Sequence, residues 1–247
     1  MRKDFYQDLY EKEETHWWHR AKRRYVKWII STHTAKKKQT TLDVGCGTGK
    51  NMEELSSFGE VWGVDISDEA LSFCKKRGLT HIKKGEAENL PFNDDTFDVV
   101  CALDVLEHVD DKLAVKEIKK VLKDDGFIVI TVPAYDWLWS RWDEVLGHKR
   151  RYTKKQLGQV LEKEGFVIRR YTYIHALLIL PLFIFRKIKQ LQSKPYSSDF
   201  KVGNNIMNKI LLYISELEQM MINRYDMPFG TSILCIAQKR NEKYKSP

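Results

Sequence analysis

The chain has 247 residues, of which 43% are hydrophobic, which is enough for one large domain with a core. Its formal net charge of +8 favours anionic partners such as nucleic acid, phosphorylated substrates or acidic membranes. Its four cysteines form no CxxC pair, which argues against a zinc knuckle or a disulfide framework. The first residues are charged and aromatic without an apolar segment, which argues against a secretory signal, and the longest apolar run, 174–185, is too short to span a bilayer. We therefore expect a cytoplasmic protein, with peripheral contact to a membrane as an open alternative.

The predicted elements divide the chain into four segments. Residues 1–38, rich in aromatic and basic side chains, are predicted to form N-terminal lid helices. Short apolar runs alternate with helical patterns over 39–173, which predicts βαβ units and a parallel sheet. A helical cap insertion at 174–230 precedes the last core strand and a flexible tail at 231–247. The seven predicted strands are 41–44, 61–64, 81–83, 97–103, 127–132, 166–173 and 231–238.

These elements predict an α/β architecture of the Rossmann-like class. We expect a seven-stranded, mostly parallel, doubly wound sheet with helices on both faces. The lid helices precede this sheet, and the helical insertion separates its last two strands. Ligands of such sheets bind at the carboxyl ends of the strands, so the motifs that follow strands are the candidates for a site.

The strongest motif follows the first predicted strand. Gly45, Gly47 and Gly49 alternate in the segment that begins at Asp43, and Cys46 lies between the first two glycines. Glycines accept positive φ angles and let a backbone pass close to a ligand. The turn therefore predicts a tightly wrapped cofactor.

The acid after the second strand adds to this site. Asp65 lies 20 residues after Gly45, where a carboxylate can accept hydrogen bonds from both hydroxyls of a ribose. A dinucleotide site would need its third glycine at position 50, which is Lys50, so the spacing disfavours nicotinamide and flavin cofactors. The turn instead suits a ligand whose amino acid portion lies over the glycines, with Asp43 bound to its ammonium group directly or through water.

Two later segments, 84–92 and 97–109, complete a resemblance to a known family. With the glycine turn, they resemble the class I S-adenosylmethionine (AdoMet)-dependent methyltransferases, of the type 11/12 group, over about residues 40 to 135. The resemblance implies AdoMet as cofactor and S-adenosylhomocysteine as product, with the adenine amino group against Glu86, where Asp is commoner, and backbone of Ala87. Leu103 and Asp104 would line the methionine side. The predicted cofactor site comprises Asp43, Gly45, Cys46, Gly47, Gly49, Asp65, Ile66, Glu86, Ala87, Leu103 and Asp104.

Two histidines are the candidate catalytic residues. His108 follows the fourth strand near the expected mouth of the cofactor pocket, and an imidazole can take up a proton near neutral pH. The alternative is that His108 caps a helix or packs beneath one. His148 begins a basic segment after the fifth strand, in a region where many of these enzymes place residues that face the acceptor.

The predicted acceptor-binding residues are Arg150, Arg151, Tyr152 and Trp18. Two neighbouring guanidinium groups could clamp a carboxylate or phosphate. The HWW segment at 16–18 and the HxRRY segment at 148–152 resemble bacterial and archaeal methyltransferases associated with saccharide or lipid-linked glycan pathways. We therefore expect methyl transfer, at oxygen, to a small-molecule, saccharide or lipid-linked acceptor. The apolar run at 174–185 fits a buried cap, a homodimer face or a membrane interface, which leaves a monomer and a homodimer open.

The sequence also bears on three other functions. The chain lacks the Asn/Asp-Pro-Pro-aromatic segment of base-amino methyltransferases and any cysteine beside a proline, which disfavours nucleic acid as acceptor. An RNA methyltransferase and a non-catalytic AdoMet-binding partner protein remain the alternatives. Asp104 and Glu107 alone are too few ligands for a divalent cation, so no metal is predicted.

Overall fold

The structure is a computed structural model that describes residues 3–34, 38–181, 183–184 and 205–240. Seven strands form one sheet in the order β3-β2-β1-β4-β5-β7-β6. Their bounds are β1 Gln39–Val44, β2 Gly59–Asp65, β3 Ile82–Lys84, β4 Phe97–Leu103, β5 Leu122–Pro133, β6 Phe166–Ile174 and β7 Ser232–Lys239. Strand β7 runs antiparallel to both of its neighbours, β5 and β6, and the remaining pairs of strands are parallel, which confirms the predicted seven-stranded, mostly parallel α/β fold.

Helices flank or follow this sheet, and the bounds of eight α-helices lie within the described residues. They are α1 Lys3–Lys12, α2 Trp17–His33, α3 Lys50–Leu55, α4 Asp68–Lys76, α5 Asp111–Val121, α6 Arg141–Leu146, α7 Lys154–Lys163 and α8 Asn205–Ile222. Helices α1 and α2 precede the sheet, and α8 lies between β6 and β7, as the lid and the insertion were predicted to do. Among these described residues, no helix is long and apolar enough to cross a membrane.

Strand β4 shows why the centre of the sheet could be read from the sequence. All seven of its residues are buried, because helices or other strands cover both faces of a central parallel strand. Strand β5, in contrast, begins at Leu122, five positions before its predicted start. The polar residues 123–125 hide this start because they interrupt the apolar pattern of the sequence. In the structure Leu122 already pairs with Phe97, and a register shift follows before Phe127 pairs with Val99.

The lid and the insertion pack on each other beside the sheet. The side chain of Asn208 in α8 accepts a hydrogen bond from the backbone of Trp17 and donates one to the carbonyl of Thr15, both at 2.8 Å. The hydroxyl of Tyr25 in α2 donates to the carbonyl of Ser215 at 3.1 Å. Helices α2 and α8 therefore form one unit.

Candidate active site

The turn after β1 has three glycines with positive φ angles, and two of them, Gly45 and Gly49, have no space for a side chain. Gly45, Gly47 and Gly49 have φ angles of +67°, +55° and +86°. A Cβ atom at Gly45 would lie 2.7 Å from Cγ2 of Val105, and one at Gly49 would lie 2.5 Å from Cδ1 of Leu79. Both the dihedral angles and the space therefore require glycine, which leaves backbone atoms to face a ligand.

Helix α1 is fastened to this turn. The Glu13 carboxylate, at the end of α1, accepts hydrogen bonds from the hydroxyl of Thr48 and from Arg77 at the end of α4. Arg77 also donates to the carbonyl of Thr48 at 3.0 Å. The lid thus closes over the glycine turn through a buried ion pair.

Asp65, at the end of β2, lies beside the same turn and is 8% exposed. Its two carboxylate oxygens accept hydrogen bonds from the backbone N–H groups of Gly47 and Ser67, each at 2.9 Å. Burial raises the pKa of Asp65, although these backbone donors act against the rise. Two oxygens with further lone pairs can also accept the hydroxyls of a ribose. Ile66 is 60% exposed and offers an apolar surface for the adjoining base.

Asp43 carries the observation that best tests the predicted cofactor. Its side chain is 1% exposed, and neither carboxylate oxygen has a hydrogen-bond partner within the described part of the chain. Burial, and then the charge of Asp65, raises the pKa of Asp43 to about 7. A buried carboxylate without a partner is costly, so an ammonium group bound here would relieve that cost. The residues present therefore fit a ligand with an amino acid portion.

The predicted adenine contacts lie next to Asp65. The backbone N–H of Gly85 donates to the Asp65 carbonyl at 3.2 Å, which draws the segment after β3 towards the end of β2. Glu86, which follows, is exposed, and Ala87 is half-buried. This segment therefore places an acid and a backbone group at the rim beyond the ribose position.

The methionine side is formed by the turn after β4. Leu103 is buried, and Asp104 has a φ of +58°. The Asp104 carboxylate accepts hydrogen bonds from the ammonium of Lys22 at 2.6 Å and from the hydroxyl of Thr131 at 2.7 Å. Burial opposes ionisation of Asp104, but Lys22 and then Thr131 outweigh it and lower its pKa. Lys22 lies on α2, so the lid reaches the end of β4.

The two predicted catalytic histidines lie together beyond Asp104. The rings of His108 and His148 are 4.8 Å apart between centroids and inclined at 76°. Nδ1 of His148 lies 2.8 Å from a carboxylate oxygen of Asp143, and Nε2 lies 3.9 Å from Glu107. Burial lowers the pKa of His108, and the neighbouring His148 lowers it further.

Glu107 was not predicted as a site residue, and it is fully buried. Neither oxygen of its carboxylate has a hydrogen-bond partner in the described segments. Burial raises the pKa of Glu107 well above its ordinary value, and the charge of Asp104 adds to this effect. Asp43 in β1 and Glu107 after β4 are thus two buried carboxylates without a hydrogen-bond partner among the described residues.

The basic segment has a different role from the predicted clamp. The guanidinium of Arg151 is buried and donates to both oxygens of Asp143, each at 2.9 Å, and to the carbonyl of Ala134 at 3.0 Å. Arg150 instead pairs with Asp111 at 2.9 Å. The two guanidinium groups thus bind different protein acids. Arg151 holds Asp143, and Asp143 holds His148.

Tyr152 is also placed differently from its prediction as an acceptor contact. It is 3% exposed, and its hydroxyl lies 2.8 Å from a carboxylate oxygen of Asp111 and 3.1 Å from the carbonyl of Leu106. The ring and its hydroxyl are enclosed by protein groups. Tyr152 therefore ties the turn after β4 to the segment after β5.

Trp18, the remaining predicted acceptor residue, stacks on His175 with centroids 4.0 Å apart. His175 follows β6, has a φ of +58° and is fully buried, and neither ring nitrogen has a partner among the described residues. Burial lowers the pKa of His175 to about 3. Asp104, Tyr135 and His175, which follow β4, β5 and β6, all have left-handed backbones. Such strain is typical of functional edges.

Four residues of the site were not predicted from the sequence: Lys22, Glu107, Asp143 and His175. Glu107 had a usable signal, since it directly precedes a candidate base. Asp143 lies on the short helix α6, and nothing in its local pattern indicates a contact with His148. Lys22 and His175 come from the lid and the insertion, so only the tertiary fold brings them to the site.

Comparisons with known proteins agree with this geometry. Residues 42–130 match the family model described as a methyltransferase domain. The uncharacterized protein MJ1123 of Methanocaldococcus jannaschii is 31% identical over 168 residues, which cover 64% of this chain and 80% of that protein. Demethylmenaquinone methyltransferase of Staphylococcus epidermidis is 36% identical over 129 residues, which cover 46% of this chain and 54% of that enzyme. The match to this enzyme thus spans about half its length.

Solved structures share the fold. The crystal structure of a SAM-dependent methyltransferase from Methanosarcina mazei superposes with a TM-score of 0.56 at 20% identity, over 87% of this chain and 98% of that one. The matched domain contains the glycine turn, Asp65 and the turn after β4, the parts that fit an amino acid ligand with a ribose. The chain belongs to the class I AdoMet-dependent methyltransferases and uses S-adenosylmethionine as its cofactor.

Proposed function

We propose that this methyltransferase transfers the methyl group to an oxygen of a small-molecule, saccharide or lipid-linked acceptor. The observation that carries the proposal is the group of proton-binding side chains beyond the methionine side, Glu107, His108 and His148. A hydroxyl must lose its proton as its oxygen forms a bond to carbon, and such a group provides for that loss. An enzyme for a neutral amine has less need of it.

The cofactor would be held mainly by backbone and by two acids. The glycine turn approaches its amino acid portion, Asp43 binds the ammonium, and Asp65 binds the ribose hydroxyls. Ile66 and the Glu86–Ala87 segment lie at the adenine end, and Leu103 and Asp104 lie at the methionine end. Bound AdoMet supplies a methyl group on a positively charged sulfur, a leaving group that needs no acid.

The protein aligns the acceptor and removes its proton. Methyl transfer would join the acceptor oxygen to the methyl carbon, and the electron pair of the broken carbon–sulfur bond would stay on sulfur to give S-adenosylhomocysteine. The proton of the hydroxyl passes to the histidine group. Asp143 binds Nδ1 of His148 and thereby fixes the ring with Nε2 towards Glu107. Alignment of the two reacting atoms supplies much of the rate.

Aromatic side chains support a ring-shaped or isoprenoid acceptor. Trp137 is 56% exposed and stacks on Tyr135 at 5.5 Å, and Tyr135 stacks on Tyr173 at 5.1 Å. Flat apolar faces with a few polar groups are suited to sugars and quinones. The demethylmenaquinone enzyme among the relatives adds weight to a small-molecule acceptor.

The test is transfer of label from AdoMet with a radioactive methyl group to four sets of compounds: free saccharides, lipid-linked sugars, quinols and RNA. We expect a labelled ether in one of the first three sets. Label on RNA, or on nitrogen of an amine control, would overturn the proposal. Tight AdoMet binding with no S-adenosylhomocysteine formed from any set would favour the non-catalytic alternative.

A further inference from the structure

The three side chains to which the proposed function assigns proton removal also form a cluster of metal-binding groups. Glu107, His108 and His148 each offer one ligand atom, and these three atoms lie within 4.8 Å of one another. Sequence reasoning counted only Asp104 and Glu107 and predicted no metal. The fold adds the two imidazoles, which changes the donor set from two oxygens to nitrogen, nitrogen and oxygen.

Both histidines are oriented in the way that metal-binding histidines are. Nδ1 of His148 is bound to Asp143 at 2.8 Å, and Nδ1 of His108 lies 3.3 Å from the carbonyl of Gly147. A metal-ligating histidine commonly donates one ring N–H to a carboxylate or backbone carbonyl, which leaves the other nitrogen for the ion. Here that other nitrogen is Nε2 in both rings.

Glu107 supplies a second and independent observation. It is fully buried, and both of its carboxylate oxygens lack a partner in the part of the chain that the structure describes. Nε2 of His148 is 3.9 Å from Oε1 of Glu107, too far for a hydrogen bond. An anionic group enclosed by protein calls for a cation, and the histidines beside it can share that cation.

We propose that Glu107, His108 and His148 bind a divalent first-row transition ion such as Zn²⁺, Mn²⁺ or Fe²⁺. Two imidazoles and one carboxylate suit these ions better than Mg²⁺ or Ca²⁺, which prefer oxygen ligands. Bonds of about 2.1 Å place ligand atoms about 3 to 4 Å apart, so small side-chain rotations close the present spacing. Three protein ligands leave coordination positions open.

The open coordination positions would bind the acceptor hydroxyl of the function proposed above. The catalytic use of the ion therefore rests on that proposed function, whereas the binding of the ion does not. An acceptor hydroxyl bound to the ion would lose its proton more easily, because the ion stabilises the oxyanion. His148 would then act as a ligand in place of a free base. The acceptor would be oriented by the same contact.

The experiment uses the full-length chain, treated with a chelator, dialysed and titrated with Co²⁺ alone while the visible absorption is recorded. We expect saturable binding of one ion per chain. Glu107→Gln and His108→Gln should each weaken Co²⁺ binding by at least about tenfold, since even loss of a residue that orients a ligand costs ~10- to 100-fold. His81→Gln removes a half-exposed histidine that stacks on Trp62, and it should leave Co²⁺ binding unchanged.

AdoMet affinity of each variant shows that it is folded, because none of these side chains holds the cofactor. Absence of Co²⁺ binding by the parent chain would overturn the proposal. Unchanged Co²⁺ binding by either substituted variant that still binds AdoMet would overturn it as well. Failure of every acceptor in the transfer assay, with Co²⁺ binding intact, would count against the proposed acceptor and not against the ion site.

Discussion

The cofactor half and the acceptor half of this site are built in different ways. The cofactor half is formed by the turns that follow β1, β2, β3 and β4, and most of its contacts involve backbone atoms. The acceptor half is formed by side chains from α2, the turn after β4, helix α6, the segment after β5 and the end of β6. A local motif can specify backbone geometry, whereas contacts between distant side chains depend on the whole fold.

The largest effect should come from the acceptor half. His148→Gln removes the ring that Asp143 orients and should lower kcat by ~100- to 10,000-fold, the range associated with loss of a proton-transfer group. AdoMet affinity should stay close to that of the parent chain, since His148 lies beyond the methionine side. The measurement is turnover with the acceptor that the transfer assay identifies, together with calorimetric titration of AdoMet.

His81→Gln is the matched control for this substitution, because His81 lies on the surface beside β2 and away from Asp143. It should leave turnover unchanged. If His148→Gln turns over at the rate of the parent chain, the acceptor half does not contain the proton acceptor. Proton removal would then not distinguish the acceptor half from the cofactor half.

The cofactor half is tested by Asp65→Ala. AdoMet binding should weaken by ~1–3 kcal/mol, because the ribose hydroxyls lose their acceptor and the backbone N–H groups of Gly47 and Ser67 are left unsatisfied. Asp68→Asn, on the exposed first turn of α4, is the control. Calorimetric titration measures both. Equal AdoMet affinity of the Asp65 variant and the parent would remove Asp65 from the ribose site.

The same division explains what the sequence revealed. Positions 45, 47 and 49 could be assigned because glycine adopts their positive φ angles most readily, and β4 was predicted with its observed bounds because it is mostly apolar. In each case the physical requirement lies within a few neighbouring residues.

The acceptor half could not be read in that way. The sequence predicted Arg151 as an acceptor contact, and only the fold shows that Asp143 binds its guanidinium. His175 lies in an apolar run, yet its backbone is left-handed and its ring is stacked on Trp18. Charge and hydropathy patterns do not contain such pairings, because each partner comes from a distant segment.

A smaller effect concerns the pH dependence of AdoMet binding. The folded chain keeps the proton of Asp43 up to about pH 7, whereas the unfolded chain releases it near 3.8, so the stability of the free protein falls as pH rises between these values. The ammonium of AdoMet prefers the ionised carboxylate. AdoMet affinity should therefore fall below pH 7, by at most about tenfold per pH unit.

Asp43→Asn should flatten this pH profile, and Asp94→Asn, on an exposed turn, should leave it as in the parent chain. Calorimetric titration from about pH 5 to 8 measures the slope. An affinity that does not change over this range would show that Asp43 is not the group that binds the ammonium. The cofactor half would then depend on backbone contacts and Asp65.

The smallest effects should arise where the acceptor half is fastened to the lid. Arg24 of α2 pairs with Glu216 of α8 at 2.9 Å, but both side chains are partly exposed, so Arg24→Ala should lower the free energy of unfolding by less than about 1 kcal/mol. Asn208→Ala should cost about 1–2 kcal/mol, because Asn208 bonds the backbone at Thr15 and Trp17. Urea unfolding measures both.

The two variants also distinguish two ways in which α8 can hold α2 beside the site. The bonds of Asn208 fix the loop before α2, the helix that carries Trp18 and Lys22, so Asn208→Ala should raise KM for the acceptor while AdoMet affinity stays constant. If Arg24→Ala instead has the larger effect on the free energy of unfolding and on KM, the ion pair between Arg24 and Glu216 is what holds α2 in place. If Asn208→Ala lowers AdoMet affinity as well as raising the acceptor KM, the two halves are mechanically coupled through α2. They are then built from different segments but do not act independently.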